Sequence, residues 1–279
     1  MGLATAATAA DVAADALLRQ HSALQARLQA SPFGEALVLD SHEQADSLSG
    51  EVHAELPVPI GRLQALFASG AAMCEMLLLH LNVRGCRARG VVGSEPIVLL
   101  VGPKQLDTAA LLHRMAYRAK VDVAGTDVAR LTLSAGTGPL GTRDHRIAIE
   151  AVAIEPARSF VRLSYAYGFG LTGRAAMKTY LATAGRTKIG FSLEASAEGE
   201  RQPVRGARAA LERNVMRYHL ALLAYAQVEG DPGGERTEAR LRRWFELTER
   251  HAPQLHEVPL DDYLRGKRQD FARAVPEGR

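Results

Sequence analysis

The chain has 279 residues, 47% of them hydrophobic, which is enough to bury a sizeable core in one large domain or two small ones. Its 34 basic and 31 acidic residues leave a net charge of only +3. With no long basic run and no basic stretch interleaved with aromatics, the sequence gives no sign of nucleic-acid binding. Aromatics make up 5%, and small apolar residues supply most of the hydrophobic mass. Small side chains leave the room that a ligand cavity needs; a genome rich in Ala, Gly and Arg codons produces the same composition.

The first ten residues, MGLATAATAA, precede Asp11. Small residues ending in this way before an acid are similar to the cleavage region of a secretory signal, but the charged and apolar regions of such a signal are missing. Two readings follow: a periplasmic or secreted protein whose sequence begins inside its signal, or a cytoplasmic one with a plain tail. No stretch is long and apolar enough to span a bilayer, the apolar part of 71–81 being too short. Cys74 and Cys86 form one local disulfide in an oxidising compartment and two buried thiols in the cytosol. Two cysteines alone make no zinc site.

In chain order, residues 11–28 carry Leu17, Leu18, Leu24 and Leu28 at helical spacing, and a polar loop follows at 41–50. Residues 51–56 alternate as a strand until Pro57 and Pro59 stop it. Residues 60–81 read as a helix that Gly70 divides. From Val83 the period becomes two, with strands expected at 83–92 and 97–101. A hairpin follows in which Tyr117, Ala119, Val121 and Val123 lead through a turn at 124–127 to 128–135. A second hairpin joins 147–154 to 160–167, with Val161, Leu163, Tyr165 and Tyr167 on one face. A short helix is expected at 174–181, a strand at 188–195, and the longest helix at 204–228. After the Gly-rich stretch 230–234, helices are expected at 236–250 and 260–271. Connections this short require an antiparallel sheet. The fold class is therefore α+β.

A strand, a helix pair, a run of antiparallel strands and one long helix resemble the START-like superfamily, also called SRPBCC or helix-grip, over roughly residues 50–228. Several motifs are similar to those of an uncharacterised exported proteobacterial group within it. They are Cys74-Glu75-Met76-Leu77-Leu78-Leu79-His80-Leu81-Asn82-Val83, Gly138-Pro139-Leu140-Gly141-Thr142, Tyr180-Leu181-Ala182-Thr183, Lys188-Ile189-Gly190-Phe191, Glu212-Arg213-Asn214-Val215-Met216-Arg217-Tyr218 and Trp244-Phe245. The resemblance implies a curved antiparallel sheet wrapped around the long helix, in a periplasmic, lipid-binding-like module of unknown ligand. It divides the chain into an N-terminal signal remnant and helix at 1–49, a helix-grip domain at 50–229 and a C-terminal helical extension at 230–279. The chain departs from the group in lacking a full signal and in having Met73 where a Trp is expected.

At 3.6 residues per turn, Ala207, Leu211, Asn214, Val215, Tyr218, Leu222 and Tyr225 share a stripe of the long helix that is expected to face the sheet. Asn214, Tyr218 and Tyr225 are then polar groups among apolar ones. Each is satisfied either by the sheet or by a ligand, since an unpaired buried amide or phenol costs about 1–3 kcal/mol. Tyr165 and Tyr167 either line or fill the sheet interior. Glu212, Arg213 and Arg217 read as surface ion pairs, with Arg213 or Arg217 on an anionic headgroup as the alternative. His80 is either a general base or a helix-end histidine. Met216, Leu220 and Leu223 lie opposite the stripe and need a second cover, which the segment with Trp244, Phe245 and Leu247 can supply.

The sequence has no Walker loop, HExxH or GxSxG motif and no metal-spaced Cys/His cluster, so no catalytic residue, metal or cofactor is assigned. The expectation is a carrier of a small hydrophobic, lipid-like molecule between sheet and long helix, held by His80, Tyr165, Tyr167, Arg213, Asn214, Tyr218 and Tyr225. An enzyme acting like a cyclase or hydrolase on a hydrophobic substrate in the same place is the alternative, and a packed envelope protein without a cavity is a third reading.

Overall fold

A computed structural model of the chain describes residues 9–103, 112–122, 127–170, 173, 186–195, 199–230 and 233–274. Residues 1–8, residues 124–126 of the expected hairpin turn, the helix expected at 174–181 and the motif at 180–183 lie outside the described residues.

Period-two patterning builds the centre of the molecule. In β8 (Arg158–Phe169), Val161, Leu163, Tyr165, Tyr167 and Phe169 are buried while Arg162, Ser164, Ala166 and Gly168 turn outward. It pairs with β7 (Thr142–Glu155), which pairs with β6 (Val128–Thr137), β5 (His113–Asp122), β4 (Ile97–Val101) and β3 (Val83–Arg87) in succession. On its other side β8 pairs with β2 (Ser47–Leu56), and β2 with β1 (Leu37–Glu43). All neighbours in this eight-stranded sheet are antiparallel. The fold is α+β, as expected.

The crossover from β2 to β3 is made by α2 (Ile60–Ala68) and α3 (Gly70–Leu79). The break between them falls at Ser69, whose hydroxyl accepts the Ala72 N–H at 3.2 Å and caps α3; Gly70 then serves as the first residue of α3. After β8 a small ribbon of β9 (Leu193–Ala195) and β10 (Arg201–Pro203) precedes the long helix α4 (Gly206–Gln227). The chain closes with α5 (Gly234–Glu249), the single turn α6 (Ala252–Leu255) and α7 (Leu260–Ala274). No described helix is long and apolar enough to cross a membrane.

Both faces of the sheet carry a core. Leu37, Leu39, Leu163 and Ile149 point inward against α2, α3 and α4, while Val38, Val128, Val152 and Phe160 point outward against Leu17 and Leu28 of α1 (Ala9–Gln29). Helix α4 is covered on its far side by the C-terminal helices. The Trp244 indole N–H donates to the Arg217 carbonyl at 3.3 Å and its ring stacks on Tyr263 at 4.9 Å. Helix α7 is fastened to β3 by a buried ionic group: the Arg84 Nε donates to both Asp270 oxygens at 3.1 Å, and the Lys267 ammonium donates to the Val83 carbonyl at 2.6 Å and to Asp270 at 3.2 Å. Burial pushes Lys267 down to about 8, against the attraction of Asp270.

Three local expectations are corrected. The sheet starts at Leu37, so β1 and its turn into β2 occupy the stretch read as a polar loop at 41–50. The strand expected at 83–92 ends at Arg87, and Gly90 turns the chain with a φ of +58°. The strand expected at 188–195 is reduced to Leu193–Ala195, outside the main sheet. The reason is a competing acceptor: the buried Glu212 carboxylate takes the N–H groups of Phe191 and Ser192, at 2.5 and 2.9 Å, that a sheet neighbour would otherwise hold.

Two stability outcomes follow from these contacts. The Cys74–Cys86 disulfide joins α3 to β3 across a separation of 12 residues, so C74A/C86A should lose about 2–4 kcal/mol in urea denaturation, and wild type plus reductant should lose the same. A Cβ on Gly190 would stand 2.5 Å from Glu212 Oε2 and from Val204 Cγ2 and 3.1 Å from the Ala209 Cα. G190A should therefore cost about 1–3 kcal/mol in the same measurement; unchanged stability would show that this close approach is not a constraint.

Candidate functional site

The inner face of the sheet is apolar except at one end, where β5, β7 and β8 meet the residue that follows α3 and the middle of α4. His145 of β7, Tyr117 of β5, Tyr165 and Tyr167 of β8, Tyr218 of α4 and His80 at the end of α3 are all buried there. The His80 and Tyr218 rings lie 4.5 Å apart, Tyr218 meets Tyr165 edge-on at 5.8 Å, and Tyr165 lies 5.5 Å from Tyr167. His145 stacks on Tyr167 at 5.2 Å.

Hydrogen bonds assign the protons. The Thr142 hydroxyl donates to the Pro139 carbonyl at 2.6 Å, so its oxygen accepts from His145 Nε2 at 2.8 Å. That leaves the Nδ1 lone pair of His145 to accept the Tyr165 hydroxyl at 3.1 Å. His145 is thus a neutral imidazole, and burial, reinforced by His113, lowers it to about 4. His80 is neutral as well: burial drives it well below its ordinary value, with Arg217 and Lys267 acting in the same direction and Asn214 against them. Its Nδ1 accepts the Asn82 N–H at 3.1 Å, so the proton sits on Nε2. That Nε2 is buried and makes no hydrogen bond of full geometry, the Asn214 side chain being the group that pulls on its proton, and Nε2 of His113 beside the cluster is likewise buried without a bond. Burial raises the phenols of Tyr117, Tyr165, Tyr167 and Tyr218, so they remain protonated. The cluster presents neutral donors in a dry, aromatic setting, suited to an acceptor oxygen on an otherwise apolar molecule.

Of the residues expected to form a site, His80, Tyr165, Tyr167 and Tyr218 come together, with Asn214 half-buried beside His80. Arg213 and Tyr225 do not join them. Arg213 points to the C-terminal segment, where its Nε donates to the Gln254 carbonyl at 2.6 Å and its guanidinium pairs with Glu257. Arg217 pairs with the same carboxylate at 3.0 Å. These pairs are buried, not on the surface, and Glu212 is buried too, accepting from the Ser41 hydroxyl at 2.5 Å. Tyr225 lies under the Arg240 guanidinium of α5, 3.6 Å from its ring centre. The sequence reading missed His145 and Thr142, and took Tyr117 for strand patterning alone. The missed signal was parity: His145 stands two residues before Ile147 on the same face, opposite Ala135 of β6.

Two surface hollows lie elsewhere. One of about 480 Å³ is lined by Asp40, Ser41, His42, Glu43, Ser192, Glu194 and Arg208. Another of about 280 Å³ lies over β3, β4 and β5. Among the described residues no group of three His, Cys, Asp or Glu side chains is arranged to hold a metal.

No protein-family model and no curated protein matches the sequence. Solved structures give distant likenesses. A point mutant of norcoclaurine synthase from Thalictrum flavum is 13% identical, covering 50% of this chain and 86% of its own, with a TM-score of 0.36. A conserved protein of unknown function from Enterococcus faecalis is 7% identical over 90% of this chain and 98% of its own, with a TM-score of 0.36. A protein from Thermobifida fusca is 16% identical over 49% of this chain and 83% of its own, with a TM-score of 0.33. Likeness at this level carries no argument about activity.

Neutral buried imidazoles make stability depend on pH with a definite sign. His145 is lowered in the folded state, so the unfolded chain binds the extra proton. Stability is full above the ordinary value of 6.5 and is lost as pH falls from there to about 4, by about 3 kcal/mol for His145 alone. Urea titrations between these pH values should show this slope in wild type and a shallower one in H145N; equal slopes would mean that His145 titrates alike in both states.

Proposed function

We propose that this chain binds a hydrophobic, lipid-like molecule between the inner face of the sheet and α4, and that it works in the cell envelope. The observation that carries the reading is the buried Nε2–H of His80, which makes no hydrogen bond of full geometry and has only the Asn214 side chain near it, beside the protonated phenol of Tyr218. A buried donor left unpaired costs about 1–3 kcal/mol, and a ligand oxygen placed against it removes that cost. An apolar ligand body gains about 25 cal/mol for each Å² taken from water, and a few placed polar groups then set its orientation. The Cys74–Cys86 disulfide supports an oxidising compartment.

One observation favours the second reading, an enzyme acting on a hydrophobic substrate with cyclase- or hydrolase-like chemistry. Tyr165 donates to a neutral His145 in the same interior, and a phenol paired with an imidazole is a competent proton relay. The cluster's histidine that makes this bond is held by hydroxyls, and burial, with His113 acting in the same direction, leaves it weakly basic.

Native mass spectrometry of the protein purified gently from its own host tests the binding reading. The expected result is an added mass that disappears on denaturation. H80L, checked for folding by circular dichroism, should retain that ligand about tenfold more weakly. A clean ligand-free mass from native membranes and cytosol alike would overturn the carrier reading.

A further inference from the structure

The outer face of the sheet is divided electrostatically. Across one row of β5 to β8, charges of opposite sign alternate and pair: Arg130 meets Glu150 at 2.9 Å, Arg162 meets Glu150 at 3.0 Å, and Arg162 also holds Glu51. Helix α1 covers the apolar patch beyond this row. Toward the other end of the same strands the outward positions are Arg87 of β3, Arg114 and Arg118 of β5 and Arg146 of β7, with Arg89 on the turn after β3. All five are exposed, and their guanidiniums make no ion pair or hydrogen bond among the described residues. Lys120 and Arg143 beside them are occupied by Asp122 at 3.3 Å and Asp144 at 3.7 Å.

The spacing is set by the sheet. Arg118 and Arg146 both lie opposite Ser134 of β6, one strand to either side, which places their stems about 10 Å apart. Arg87, Arg89 and Arg114 rim the 280 Å³ hollow, whose single carboxylate is Glu95. Small exposed residues, Ala116, Ser134 and Gly136, floor the ground between them, so the guanidiniums stand clear of their surroundings. A net charge of +3 for the chain hides this concentration, because the acids elsewhere are matched by bases.

We infer that this arginine face docks on an anionic phospholipid bilayer. A guanidinium fork pairs two phosphate oxygens at once, and a rigid sheet presents several forks in one plane to a planar array of headgroups. The exposed strand positions named above include no aromatic on which a nucleobase would stack, which separates this surface from a single-strand nucleic-acid platform. The surface lies on the opposite side of the sheet from the aromatic cluster, so it does not depend on what that cluster binds.

The test is co-sedimentation of the full chain with vesicles of phosphatidylcholine containing phosphatidylglycerol, against phosphatidylcholine alone. Wild type should bind only the anionic vesicles and release them as salt is raised. R114Q/R118Q/R146Q should bind about a hundredfold more weakly, at about fivefold per charge removed. R242Q/R265Q/R268Q removes the same charge from α5 and α7 and should leave binding within a few-fold of wild type, with both variants checked for folding by circular dichroism. Equal weakening by the two triple variants, absence of wild-type binding to anionic vesicles, or tighter wild-type binding to duplex DNA than to those vesicles would overturn the assignment.

Discussion

The long helix α4 carries three ionised side chains into the protein interior, and the rest of the architecture is arranged around pairing them. Glu212 accepts the Ser41 hydroxyl from β1 and two backbone N–H groups from the segment before the β9–β10 ribbon. Arg213 and Arg217 converge on Glu257 from the loop between α6 and α7. Such pairs add little net stability over apolar packing, but breaking one strands a charge at a cost of about 3–5 kcal/mol. Their effect is therefore geometric. A helix held on one side by Glu212 and on another by Arg213 and Arg217 has no freedom to rotate, and that fixed rotation aims Asn214 and Tyr218 at His80 and the sheet.

The polar cluster that results is electrically quiet. Every titratable group in it is held in its neutral form by burial, and the hydrogen bonds at His145 run one way, from Tyr165 to Nδ1 and from Nε2 through Thr142 to the Pro139 carbonyl. His80 breaks this closure. The Asn82 N–H satisfies its Nδ1 and leaves the Nε2–H facing inward with no bond of full geometry and only the Asn214 side chain near it. In an interior where most polar groups are matched, a poorly satisfied donor beside the Tyr218 ring is the feature on which the binding proposal rests.

Much of this was legible in the sequence, and the misreadings have physical causes. The two central hairpins, β5–β6 and β7–β8, announce themselves by alternation because one of their faces meets the core and the other, except where α1 covers Val128, Val152 and Phe160, meets water. Strand β1 does not alternate: Leu37, Val38 and Leu39 are all buried, because α4 covers one face and α1 the other, and the remainder, Ser41 to Glu43, reads as polar loop. Tyr225 shares its stripe of α4 with Tyr218, yet lies about 10 Å further along the axis, where α5 and not the sheet is the cover. A helical wheel gives direction but not depth. Arg213 and Arg217 looked like surface residues because nothing local in the sequence announces a carboxylate forty residues later that will bury them.

The division of the sheet follows from the same logic of cover. The inner face is closed by α2, α3 and α4, so its polar groups must be neutral or matched. Among the described residues the outer face is closed at one end alone, by α1, and next to that helix the charges are paired into a lattice that tolerates partial burial. Where no described element lies over the sheet, the arginines are exposed to water, and pairing is not needed to keep them stable. What sets this surface apart is that several unpaired arginines stand together on one rigid sheet face. This leaves that surface able to exchange water for phosphate oxygens without first breaking an internal bond.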